Sequence, residues 1–183
     1  MATGHADPRR RERILAATLD HIADEGVAGV SHRKIAARAA VPLGSMTYHF
    51  TGIDDLLREA FTLFADHIAT VFERHLDHAD TPAQAREAVT DLIHALSAGT
   101  RRDLILTQEL YTLAARRPEY RELTRSWMRR SRHLLERHFD PDTARQLDAL
   151  IEGLTLHRAL DDTGTSHGRE LTRQAVGRIT ATA

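Results

Sequence analysis

Apolar residues recur every three to four positions along nearly the whole of this chain, and the recurrence is interrupted at intervals by residues that cap or stop helices. No run alternates apolar and polar residues as a strand does, and no Asn-Gly or similar pair marks a hairpin. The expected class is therefore all-α, with about nine helices. Ile14, Leu15, Thr18, Leu19 and Ile22 fall on one face of a first helix that should end near Asp24, with Gly26 available for the left-handed C-terminal conformation. Ser31 caps a short second helix carrying Ile35, Ala36 and Ala39. Val41-Pro42 cannot prolong it, a turn belongs there with Gly44 just beyond, and a third short helix begun by Leu43, Gly44 and Ser45 runs to about His49.

Thr51-Gly52-Ile53-Asp54 reads as a capping box opening a much longer fourth helix, whose stripe extends from Leu56 to Phe72. Thr81-Pro82-Ala83-Gln84 starts a fifth, and Leu104 to Ala115 makes a sixth. Pro118 opens a seventh carrying Tyr120, Leu123, Trp127, Leu134 and Leu135, and Asp140-Pro141 opens an eighth through Leu147, Ile151, Leu154 and Leu160. A break at Gly164 to Gly168 precedes a ninth helix marked by Leu171, Ala175, Val176 and Ile179, followed by a polar tail expected to fray.

At 183 residues the chain has room for two units but not three, and 42% hydrophobic with 28% charged residues supply a packed core. The absence of cysteine removes disulfides, thiolate metal sites and cysteine nucleophiles together. No signal-like segment opens the chain and no uncharged apolar run approaches the ~20 residues of a membrane span, so a cytoplasmic protein without a membrane partner is expected. The net charge of -1 conceals an uneven distribution: residues 1–50 hold seven Lys/Arg against five Asp/Glu, with Arg9, Arg10, Arg11 and Arg13 clustered at the start.

Enzymatic and metal chemistry find little support. His75 with His78, and His133 with His138, lack a third ligand at useful spacing, and His-Glu-x-x-His is absent. No Gly-x-Ser-x-Gly elbow, phosphate loop or dinucleotide fingerprint occurs. The chain is read as not an enzyme, without cofactor or metal.

Three short helices with a tight turn between the second and third match helix-turn-helix geometry. Ile14-Leu15-Ala16-Ala17, Gly26, Ser31, Ile35-Ala36, Ala39, Val41, Gly44, Tyr48-His49-Phe50 and Leu56-Leu57, in that order and spacing, resemble the TetR family of transcriptional repressors. The likeness covers Arg9 to Leu57 and departs from the family's commonest pattern at Thr47, where an aromatic is frequent, and at Ile53, where a lysine often grips phosphate. It implies a helix-turn-helix DNA-binding domain over residues 1–52 and a helical ligand-sensing and dimerisation domain over 53–183.

The resemblance brings candidate DNA contacts at Ser31, Arg33, Lys34, Leu43, Gly44, Ser45, Thr47, Tyr48 and His49, each with an ordinary alternative as a cap, a solvated face or packing. Glycine lets a backbone approach DNA, a hydroxyl bonds phosphate or base, an alkyl group meets a thymine methyl, and a tyrosine hydroxyl donates to phosphate. Ile14, Leu15, Leu19, Ile35, Ala39, Val41 and Phe50 are assigned to the core. A pocket among helices five to eight would draw on His94, Gln108, Tyr111, Trp127 and Met128, and a four-helix dimer interface on Leu147, Ile151, Gly153, Leu154, Leu171 and Ala175.

The implied function is a homodimeric regulator, a repressor released from a near-palindromic double-stranded operator by a small-molecule effector whose identity the sequence does not disclose. The alternatives weighed are a DNA-binding dimer that senses no ligand or activates, and a helical enzyme or metal carrier.

Overall fold

The computed structural model describes residues 9–99, 101–161 and 168–181, and among these there is no strand. Among the described residues nine α-helices follow one another: α1 (Arg10–Glu25), α2 (His32–Arg38), α3 (Gly44–His49), α4 (Ile53–Leu76), α5 (Pro82–Ser97), α6 (Arg101–Arg116), α7 (Arg121–Leu135), α8 (Pro141–Leu160) and α9 (Arg169–Thr180). Short 3-10 turns occupy Val27–Gly29 and Pro118–Tyr120. The expected break includes Gly164, which lies outside the described residues, as does the end of the polar tail.

The caps explain where helices begin. Ser31 accepts a hydrogen bond from the Lys34 N–H at 3.3 Å. Thr81 and Gln84 form a reciprocal capping box, and Asp140 accepts from the N–H groups of Asp142 and Thr143 at 3.0 and 3.1 Å. At α4 the expected box is built differently: Asp55, not Asp54, accepts from the Thr51 N–H at 3.0 Å, because Asp54 is turned to partners later in the chain. Pro118 opens a 3-10 turn and not α7 itself, so Tyr120 precedes α7.

The chain divides into two compact units. The first comprises the described residues within Met1–Ala65 together with Ile105–Leu123. In it α1 packs on α2 and α2 on α3 around Ile14, Ile22, Ile35, Met46, Phe50, Leu56 and Phe61. Glu109 and the Arg117–Tyr120 segment join this unit through polar contacts. The Val27 N–H donates to Glu109 at 3.0 Å. Arg117 makes a two-point pair with Asp54 at 2.8 and 3.0 Å, and the buried Tyr120 hydroxyl donates to the same carboxylate at 3.0 Å.

The second unit comprises Asp66–Leu104 and the described residues within Thr124–Ala183. Here α5 is flanked by α8 and α9, and Ala85, Val89, Leu92 and Ile93 of α5 are buried along with Leu147 and Ile151 of α8 and Val176 of α9. Arg169 ties α9 to Asp91 and Glu87 of α5. Asp148 is buried on α8 with the Arg132 Nε–H at 2.9 Å, and burial pushes its carboxyl above the usual range while Arg132 opposes the shift. Among the described residues no helix is long and apolar enough to cross a membrane, and no group of three or more His, Asp or Glu residues gathers that could hold a metal.

Candidate nucleic-acid interface

The first unit holds a helix-turn-helix whose geometry follows from a few local choices. Gly26 ends α1 at φ +75° and ψ 167°, a positive φ with extended ψ and not the left-handed helical conformation expected. The backbone then needs a left-handed residue between α2 and α3 and finds it at Ala40, φ +52°, the one non-glycine residue with positive φ among those described. Val41 donates back to the Ala36 carbonyl at 3.0 Å, completing the exit from α2. Leu43 then has helical φ and ψ, and α3 begins at Gly44.

Helical periodicity sorts α3 into two faces. Ser45, Met46 and Phe50 are buried. Leu43, Gly44, Thr47 and Tyr48 face outward, Leu43 at 51% exposure and Tyr48 at 83%. Leu43 and Tyr48 thus flank the outward face of α3, with Gly44 and Thr47 between them. A Cβ added at Gly44 would meet no atom of the described residues within 4 Å, so none of them requires glycine there. His49 is half-buried with its ring edge-on to Tyr48, centroids 4.9 Å apart, and Thr47 donates to the Gly44 carbonyl at 3.2 Å. Ser45, expected beside these residues, is turned inward next to Met46, and its hydroxyl does not share their face.

On α2, Arg33 and Lys34 are exposed. Lys34 Nζ lies 2.9 Å from Glu25, which holds that carboxyl below the usual range, and Arg38 lies 2.5 Å from Asp24. The N-terminal arginines are not a loose arm: Arg10, Arg11 and Arg13 belong to α1, and Arg11 bonds Glu59 with its guanidinium 5.8 Å from the Phe50 ring centroid.

The expected pocket residues are divided between the two units. Gln108 and Tyr111 belong to the first, and Gln108 is exposed. His94, Trp127 and Met128 belong to the second. Trp127 is buried, and the half-buried His94 meets the Thr172 hydroxyl at 3.2 Å; burial holds its imidazole below the usual range, reinforced by Arg158 and Arg169.

Of the expected interface residues, Leu147 and Ile151 are buried in the chain's own core, because α8 turns that face to α5. Gly153, Leu154 and Ala175 are half-buried and Leu171 is 46% exposed. The helical glycines Gly153 and Gly177 have open space where a Cβ would stand. Leu160, at 65% exposure, and Gly177 were not among the expected interface residues.

The match to known proteins follows the same division into a reading module and a helical remainder. The family model for bacterial regulatory proteins of the tetR family matches residues 14–60, and that for the tetracyclin repressor-like C-terminal domain matches residues 80–182. The crystal structure of SCO7518 from Streptomyces coelicolor A3(2) is 70% identical, covering 94% of this chain and 99% of that one, with a TM-score of 0.90. The multidrug binding protein EbrR in complex with ethidium is 37% identical over 94% of this chain and 99% of its own, with a TM-score of 0.76, and its structures with proflavin and malachite green also match. The HTH-type transcriptional regulator BetI 1 of Chromohalobacter salexigens is 29% identical over 86% of this chain and 82% of its own length. With an exposed second helix of a helix-turn-helix at one end and a helical C-terminal domain matched over more than half its length, the chain belongs to the TetR family of bacterial transcriptional regulators.

Proposed function

We propose that the protein is a cytoplasmic homodimeric repressor, released from its operator by a small molecule, in which residues 1–52 read DNA and residues 53–183 sense the effector and dimerise. The observation that carries the reading is the outward face of α3: Leu43 and Tyr48 exposed, with open space at Gly44. Such a face suits a helix inserted in the major groove, where Leu43 meets a thymine methyl, Gly44 admits the backbone, Thr47 bonds a base or phosphate, and Tyr48 and His49 donate to phosphate. Arg33 and Lys34 add contacts from α2, and Ser31 positions them as its cap. Ser45 supports this surface from beneath.

A second copy is proposed to pack against α8 and α9 through Gly153, Leu154, Leu160, Leu171 and Ala175. A mid-helix glycine costs ~1 kcal/mol relative to alanine. With no neighbour among the described residues using the space at Gly153 and Gly177, close approach of another helix accounts for it. For the effector, EbrR's complexes with ethidium, proflavin and malachite green make cationic aromatic dyes the first panel, with His94, Trp127 and Met128 of the second unit as candidate contacts. Effector binding must favour the released form over the DNA-bound form, and α4, which contributes residues to both units, is the covalent route for that preference.

The test is binding of the full chain to the duplex upstream of its own gene, followed by anisotropy with and without each dye. Saturable binding that a dye reverses, and that is lost when Tyr48→Ala and Leu43→Ala are combined, is expected. Binding unaffected by those changes overturns the assignment of α3; binding that no dye and no metabolite reverses overturns the sensing half.

A further inference from the structure

The cations of the DNA-reading unit are unequally available. Arg33 is exposed and has no ion-pair or hydrogen-bond partner among the described residues. Lys34 and Arg38 are held by two acids that end α1, Glu25 and Asp24. Arg11 is likewise held, by Glu59.

Glu25 is more than a mobile surface acid. Its second oxygen lies 3.4 Å from Nδ1 of the buried His21, and His21 is itself fixed by Nε2, 2.9 Å from the Gly29 carbonyl. The Glu25 side chain also packs beside Gly29, where an added Cβ would come within 3.1 Å of it. A carboxylate so placed presents to Lys34 what a DNA phosphate presents: an anionic oxygen at 2.9 Å.

From this arrangement we infer that Asp24 and Glu25 are built-in competitors for the DNA backbone and determine how strongly the protein discriminates operator from other sequences. The inference rests on the reading of α2 and α3 as the DNA-binding elements. A duplex met in a random register can recruit Lys34 and Arg38 only by displacing carboxylates already in contact with them, so those cations contribute little counterion release to non-specific binding. A duplex held in register by the α3 face keeps phosphates beside α2 long enough for the exchange, which is feasible because both ion pairs are exposed and individually weak. Asp24 and Glu25 are thus positioning residues for specificity, acting through Lys34 and Arg38 without touching DNA.

The test compares the parent with Glu25→Gln, Asp24→Asn and the double variant on two probes over a salt series: the upstream duplex and a mixed-sequence duplex of equal length. Removing each carboxylate is expected to tighten mixed-sequence binding and steepen its log–log salt slope by up to about 0.9 for each cation released. The ratio of upstream to mixed-sequence affinity should fall. Adding Lys34→Gln to Glu25→Gln should return the slope to the parent value, which a merely structural role for Glu25 would not do. Melting curves identify any variant that has lost its fold, and Asp24→Asn provides a separate reading if Glu25→Gln is the one lost. Unchanged mixed-sequence slopes in folded variants overturn the inference and leave the DNA-binding reading intact. A parent that binds neither duplex overturns both.

Discussion

Ala40 occupies a backbone conformation that side chains normally avoid. At φ +52° its Cβ crowds its own peptide, at a cost of about 1–2 kcal/mol for an L-residue. The turn between α2 and α3 demands that conformation whatever the residue, so Ala40→Gly should stabilise the protein by up to about 1 kcal/mol, part of the relief being offset by the freer unfolded chain. Ala40→Val should destabilise it, and thermal melts of both variants decide the point. Asp54 is governed by charge. The Arg117 guanidinium first, then the Tyr120 hydroxyl, hold its carboxyl below the usual range. A group with a depressed folded pKa stabilises fully above its unfolded value and loses that contribution as pH falls through the folded value. Asp54→Asn should therefore lower Tm by a few degrees at neutral pH, and the deficit should shrink as melts are repeated at progressively more acid pH below the ordinary aspartate range. A deficit that persists undiminished would show that Asp54 works through packing and not charge. Neither residue announced itself in the sequence: Ala40 is one alanine in a run, and Asp54 sits where a helix cap was expected, its true partners more than sixty positions away.

Helices were legible where their ends carry local chemistry. Ser31, Thr81 and Asp140 cap as their side chains dictate, and the 3.6-residue period placed Ile14, Ile22, Ile35, Leu92 and Val176 in the core. The same period on α3 puts Ser45 beside Met46 on the inward face. Family likeness had drawn Ser45 outward, and a short helix has too few residues for its pattern to argue back. The face of α8 was harder still. Leu147, Ile151, Leu154 and Leu160 all read as apolar stripe, but which part of a stripe serves the chain and which a second copy depends on where α5 lies, and no local signal encodes that. The exposed remainder makes a prediction for these elements. If Leu160 and Leu171 lie in a dimer interface, replacing each by glutamate forfeits burial worth about 1.5–3 kcal/mol per leucine, or roughly ten- to a hundredfold in the dissociation constant. Sedimentation should find the double variant shifted to monomer at concentrations where the parent is dimeric. A variant that sediments like the parent would remove both leucines from the interface.

At the scale of the whole molecule, the first unit is assembled from two stretches of chain separated by the second part of α4, all of α5 and the start of α6. Ile105–Leu123 brings Leu106, Leu110, Leu113 and Tyr120 into burial, along with the Glu109 contact at Val27 and the Arg117 pair with Asp54. Such a join is invisible to any reading that proceeds by neighbouring residues, which is why the sequence suggests a boundary after the helix-turn-helix and no other. It also bears on how the protein is born and rearranged. A nascent chain emerging from the ribosome has released every residue of α1, α2 and α3 long before Tyr120 appears, so the first unit lacks part of its core until that later stretch is made. Recombination that grafts a new sensing region at residue 52 or 65 would likewise carry away Glu109, Arg117 and Tyr120. New specificities in this chain are therefore inherited more safely by changing side chains in place than by exchanging halves.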